Sequence, residues 1–190
     1  RQRQMCIRDR CIYKGNEPSF ALETKVRNVS NNINRSLIGN ILKSIRVEKN
    51  IPMKKIASAL KVSESTVSQI ETGKNSATKE KINEICHVCG CSFDYKTDRK
   101  KMIDLVLYIY AQYSNLSTDE MNSTIEEVKN NSFISCSYAR FEYYLILYMD
   151  GIINQNNEDV QLFKRILEIG KSSFSNKAVS YTHLTLPTTE

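Results

Sequence analysis

The stretch "PMKKIASALKVSESTVSQIETGK", Pro52 to Lys74, admits only a narrow set of folds. From Pro52 to Leu60 the apolar residues Ile56, Ala57 and Leu60 recur at helical spacing, and Pro52 suits a first helical position, where the missing N–H costs nothing. A second helix is predicted from Ser63, with Ser63 as its N-cap and with Val67 and Ile70 on one face. Only Lys61 and Val62 separate the two patterns, so the chain must turn sharply between them. The second helix has a thin apolar stripe, and Glu64, Ser65, Ser68 and Gln69 fall opposite it. Such a polar face is either merely solvated or held out toward a ligand.

Neighbouring segments supply what these two helices pack against. "SLIGNILKSIRVEKN" sets Ile38, Ile41, Leu42 and Ile45 at helical spacing, with Ser36 as N-cap and Asn50 near the stop. "ATKEKINEICHVCG" puts Ile82, Ile85, Cys86 and Cys89 on one face of a helix ended by Gly90, and Phe93 closes the core. Farther on, "DRKKMIDLVLYIYAQYS" is expected to bury Met102, Leu105, Val106, Ile109 and Tyr113. "STDEMNSTIEEVKNN" opens with the capping-box pair Ser117 and Glu120. "SYARFEYYLILYMDGIINQ" is the most apolar helix and "NEDVQLFKRILEIGK" the last. With six glycines, three prolines and no alternating apolar pattern, the chain reads as all-α.

A length of 190 residues allows one substantial core or two small ones. Both ends look foreign to it. "RQRQMCIRDR" (Arg1 to Arg10) resembles a translated sequencing adapter, and "VSYTHLTLPTTE" (Val179 to Glu190) resembles the same adapter read on the opposite strand. Residues 1–36 are therefore read as adapter plus a weakly ordered leader, and residues 179–190 as adapter. Between Met5 and Met53 there is no methionine, so Leu37 is expected to stand where a non-standard start codon was. The formal charge of +6 is unevenly spread: lysines and Arg46 outnumber acids from Leu37 to Phe93, and acids slightly exceed bases from Asp94 to Ala178. A basic front and a mildly acidic back suggest a polyanion-binding module joined to something else. No apolar run approaches the ~20 residues of a membrane span, "YYLILYM" being about one third of it. A cytoplasmic bacterial protein is expected.

Two helices joined by a tight turn, the second presenting a polar face, suit a DNA major groove, which is about 12 Å wide and admits one helix. Leu37 to about Tyr95, with "IR" at Ile45-Arg46, "IASALKVSESTVSQIETGK" and "INEICHVCGCSFDY", resembles the Xre family of lambda-repressor-like helix-turn-helix domains. The resemblance implies a five-helix DNA-binding domain over residues 37–95 that binds double-stranded DNA as a homodimer, on half-sites ~34 Å apart. It makes Glu64, Ser65 and Gln69, with Ser68 beside them, the base-edge readers. Gln69 suits adenine, Glu64 a cytosine amino group, and Ser65 either. Thr66, Lys74 and Asn75 would sit by the phosphates. Met53 occupies a backbone-contacting position where the family often has glutamine, so one contact there is expected to be lost. Arg46 and Glu71 match a buried structural ion pair. Lys61 stands where glycine is common, and a left-handed conformation there costs about 1 kcal/mol.

Residues 96–178 look similar to antiparallel tetratricopeptide-like hairpins, and are expected to form a truncated sensor or dimerisation domain. Regulators of the Rgg-like and PlcR-like kind join an Xre domain to such repeats, which implies a peptide or protein effector on the C-terminal helices. Tyr108, Tyr110, Tyr113, Tyr138, Tyr143, Tyr144 and Tyr148 are too many for one face and suggest core plus an exposed patch. Plain helical packing stays open, as do an antitoxin that represses its own operon and a protein-interaction module without DNA binding. "CHVCGC" (Cys86 to Cys91) lacks the second ligand pair that a closed zinc site needs, so small apolar core positions are the expectation for Cys86, Cys89 and Cys91. A redox role, with His87 lowering a thiol pKa, is the minor alternative. No catalytic constellation, metal site or cofactor motif is found, and a non-enzyme is expected.

Overall fold

The computed structural model describes residues 20–114, 118–153 and 157–173; the adapter-like ends and the capping residue Ser117 lie outside these. Eight α-helices follow in order: α1 (Phe20–Glu48), α2 (Met53–Ala59), α3 (Glu64–Glu71), α4 (Lys79–Val88), α5 (Arg99–Ser114), α6 (Thr118–Asn130), α7 (Arg140–Ile153) and α8 (Asn157–Gly170). A 3-10 turn, Ser132–Cys136, leads into α7. The fold is all-α; among the described residues β pairing is confined to one parallel bridge between Asp94 and Ser137. Four helices lie before Tyr95, and the fifth begins just beyond, at Arg99. No helix of the described residues is long and apolar enough to cross a membrane.

Helix α1 reaches back into the leader. Phe20 to Ser36 contains no glycine or proline, so nothing stops the helix there, and Ser36 is an interior residue rather than the expected N-cap. Pro52 is the N-cap of α2, one position earlier than the sequence pattern placed it.

Each of the first three helices ends on a left-handed residue: Asn50 at φ 52°, Lys61 at φ 53° and Gly73 at φ 71°. At Lys61 the termination is a full Schellman motif, in which Lys61 N–H donates to Ser58 O (3.2 Å) and Val62 N–H to Ala57 O (3.0 Å). These bonds satisfy the last carbonyls of α2 and aim the chain straight into α3.

Ile41, Leu42 and Ile45 make α1 the spine of the molecule, packed against α3 and α4 on one side and α8 on the other. Helix α7 is the centre of the C-terminal half, touching α5, α6 and α8. Every residue from Arg140 to Ile146 is buried, which fits a helix covered on all sides. The tyrosines divide accordingly: Tyr143, Tyr144 and Tyr148 are core, whereas Tyr108 and Tyr113 of α5 are exposed. Tyr113, expected inside, faces out, and Met102, Val106 and Ile109 carry the burial of α5.

A polar cluster joins the halves. Arg140, 1% exposed, donates from Nε to Ser44 Oγ (2.6 Å), from Nη2 to Glu48 Oε2 (2.5 Å) and from Nη1 to the Ser135 carbonyl. Its guanidinium lies 4.7 Å from the Tyr144 ring, whose hydroxyl donates to Glu48 Oε2 (3.0 Å). The buried cation thus meets a charge, a hydroxyl, a carbonyl and a π face. Nearby, Asn40 Nδ2 donates to Ser173 Oγ (2.8 Å), Arg99 pairs with Glu142 (2.8 Å), and Asp94 N–H donates to Cys136 O (2.7 Å).

Burial alone would raise the Glu48 carboxyl, but the charge and hydrogen bond of Arg140, with smaller help from Lys49 and Tyr144, hold it below its usual value of 4.5. A depressed folded value stabilises the fold fully above the unfolded value and loses that contribution as pH falls through the folded one. Glu48→Gln should lower the unfolding free energy at neutral pH by about 3 kcal/mol, because Arg140 stays buried without its charge partner. In denaturant titrations across pH 3 to 7, wild type should lose stability on acidification more steeply than this variant.

Lys61 supports a second expectation. Relief of left-handed strain, about 1–2 kcal/mol, exceeds the ~0.4–1 kcal/mol of extra unfolded-state entropy that glycine brings. Lys61→Gly should therefore raise the unfolding free energy by about 0.5 kcal/mol, read as a higher denaturant midpoint at unchanged slope.

Candidate nucleic-acid interface

Eight residues are too few for an isolated helix to be stable, so α3 exists because its surroundings hold it. Ser63 caps it, its Oγ accepting from Thr66 N–H (3.2 Å), and Glu64 in the first turn complements the helix dipole. Val67, Ile70 and Glu71 are buried. Glu71 can be buried because Arg46 meets it with two parallel bonds, Nε to Oε1 at 2.6 Å and Nη2 to Oε2 at 2.9 Å. Arg46 Nη1 also donates to the Ile51 carbonyl (3.2 Å), tying the end of α1 into the same knot. The bond to Glu71 raises the guanidinium pKa further against its partial burial.

Contact between α1 and α3 is close enough to forbid a side chain. A Cβ placed on Gly39 would stand 2.4 Å from Ile70 O and 2.7 Å from Glu71 O. Gly73 adjoins the same helix, and a Cβ there would meet Ser36 Cα at 2.7 Å. The backbone of α3 thus rests directly on the backbone of α1.

The opposite face carries Glu64, Ser65, Ser68 and Gln69, all exposed. Thr66 is half-buried at the helix start, its hydroxyl 3.0 Å from that of Ser63. Lys74 and Asn75 are exposed in the loop after Gly73. Asn75 Nδ2 donates to Gln69 Oε1 at 2.7 Å, so these two side chains form one unit. Asn75 also lines a hollow of about 290 Å³ with Asn34, Arg35 and Ser76, which extends the polar surface onto α1. Met53, at the start of α2, is half-buried against the core, and its thioether can donate no hydrogen bond. Lys54, Lys55, Lys61 and Lys79, of the same segment, are exposed as well.

Residues 42–96 match the family model described as Helix-turn-helix. The chain is thus an all-α protein with a helix-turn-helix domain, and the matched residues run from α1 to just past Tyr95. No curated protein matches the chain, and no solved structure does.

Around "CHVCGC" the helix-turn-helix core is packed with thiols. Cys86 and Cys89 are buried and Cys91 half-buried, with Cys136 of the adjoining 3-10 turn nearby. The bond with Cys136 lowers the Cys91 thiol pKa, but the bond to Cys86 and burial push it up to about 12. Cys136 is raised by its bond to Cys91 and by burial, and Cys89 chiefly by burial. Thiols so held are protonated at neutral pH and serve as small apolar side chains. Among the described residues no group of three or more His, Cys, Asp or Glu is placed to hold a metal ion.

Three features of this architecture escaped the sequence reading. Gly39 is one, although an isolated glycine inside a helical pattern is a recognised sign of close packing. Ser44 and Glu48 with Arg140 are another, signalled only by a charged residue opening the most apolar helix. The Asn75 to Gln69 bond is the third, and no local pattern announces it.

Gly39→Ala tests the α1–α3 contact. Backbone atoms cannot rotate away, so α3 must shift, and the unfolding free energy should fall by about 1–3 kcal/mol. Thermal unfolding would read the loss, and an unchanged midpoint would mean that α3 does not rest on Gly39.

Proposed function

We propose that the protein is a sequence-specific DNA-binding transcriptional regulator whose helix α3 lies in the major groove. One observation carries this: α3 buries one face against α1 and leaves Glu64, Ser65, Ser68 and Gln69 exposed together on the other, inside the matched helix-turn-helix segment. Short polar side chains on a rigidly seated helix are what base-edge reading requires. Gln69 reads a purine, Glu64 accepts from a cytosine amino group, and Ser65 and Ser68 serve either partner. Lys74, Asn75 and Thr66 lie where phosphates pass, and Met53 brings no side-chain donor to its backbone-contacting position. The surrounding lysines set affinity and its salt dependence.

The protein acts as a homodimer on two half-sites ~34 Å apart. The C-terminal helices supply the dimer contact or hold a peptide or protein effector, a reading supported by exposed Leu107, Tyr108 and Tyr113 on α5. Their packing as α5 against α6 and α7 against α8 is consistent with tetratricopeptide-like hairpins.

The test is a binding titration of the whole chain against random duplexes at two salt concentrations, with sequencing of the bound fraction. A palindromic site should be enriched, and affinity should fall steeply with salt. Gln69→Ala should lose about 1–3 kcal/mol of discrimination at one base position and leave the others intact. Weak binding with no enriched sequence would overturn the proposal.

A further inference from the structure

We infer that Asn75 is a positioning residue that decides which purine Gln69 reads, an inference that rests on the DNA-binding role proposed above. Asn75 is bound to Gln69 twice. Its backbone N–H donates to the Gln69 carbonyl (3.0 Å), and its Nδ2 donates to Gln69 Oε1 (2.7 Å). The left-handed Gly73, at φ 71°, folds the loop back so that both bonds form. Since Asn75 donates through nitrogen, the glutamine oxygen is turned toward the loop, and its Nε2 amino group becomes the end free to approach a base.

That orientation has a chemical consequence. In the major groove adenine offers an acceptor at N7 and a donor at N6, and glutamine distinguishes it by using oxygen and nitrogen together. Guanine offers two acceptors, N7 and O6. A glutamine that presents its donor end satisfies guanine fully and adenine only at N7. Asn75 thus removes the adenine preference that an unrestrained glutamine would show, and guanine is accepted at least as well.

Base selection with the full-length chain tests this. At the position lost in Gln69→Ala, wild type should enrich guanine at least equally with adenine. Asn75→Ala should shift the ratio toward adenine by about fivefold or more. Asn75→Asp, which cannot donate to Oε1 but can accept from Nε2, should flip the amide and shift the ratio the same way. Wild type enriching adenine alone, or both variants keeping the wild-type ratio, would overturn the inference while leaving DNA binding intact. Absence of any enriched site in wild type would instead remove the DNA-binding role itself, and this inference with it.

Discussion

Two half-buried charges on opposite sides of one helix organise this molecule. Arg46 and Glu48 are two residues apart on α1, about 200° around its axis. Arg46 therefore faces α3, while Glu48 and Ser44, one turn apart, face α7. Their partners Glu71 and Arg140 are buried and need them, because an unpaired buried ion costs several kcal/mol. Glu71 and Arg140 must come to meet them, and each brings its helix to a defined place. Apolar packing alone tolerates small rotations of helix on helix. A two-pronged Arg–carboxylate contact does not, since both bonds need one relative orientation.

Around that constraint the helix-turn-helix segment becomes a rigid presentation device. Gly39 lets the backbones of α1 and α3 touch, Arg46 and Glu71 fix the rotation, and the Schellman turn at Lys61 sets the entry of the chain. Val67 and Ile70 do the remaining anchoring from one side. Glu64, Ser65 and Ser68 of the other side are thereby left exposed, and the Gln69 side chain is tied to the loop at Asn75. Glu71, neutralised by Arg46 and buried, adds little repulsion toward a polyanion beside the helix.

What the sequence made legible was local. Ser63 as a cap, Val67 and Ile70 as anchors, the turn at Lys61 and Val62, and Cys86 and Cys89 as core all follow from spacing within a turn or two of helix, and of the three thiols only Cys91 is less buried than expected. The remainder depends on partners far away in the chain. Arg140 and Glu48 are 92 residues apart, and nothing near either announces the other. The fate of Tyr143, Tyr144 and Tyr148 depended on whether α7 is central or peripheral, which the apolar count of one helix does not decide. The start of α1 was misplaced for a related reason. Asparagine and serine argue weakly against a helix, whereas only glycine or proline stops one firmly, and Phe20 to Ser36 has neither.

The shared helix also determines how the two halves can influence each other. The C-terminal helices meet the helix-turn-helix segment along α1, through Arg140, Asn40 and α8, and along the Phe93–Tyr95 strip, where Asp94 bonds Cys136 and Phe93 packs 5.1 Å from Tyr138. A ligand that leaves both contacts unchanged leaves α3 where it is, because a binding event shifts only those equilibria whose states it binds differently. One that draws Arg140 away from Glu48 acts otherwise. It strands a buried charge next to the turn that carries Arg46, a loss of several kcal/mol. The two halves are therefore physically joined by two routes, the polar junction on α1 and the Phe93–Tyr95 strip.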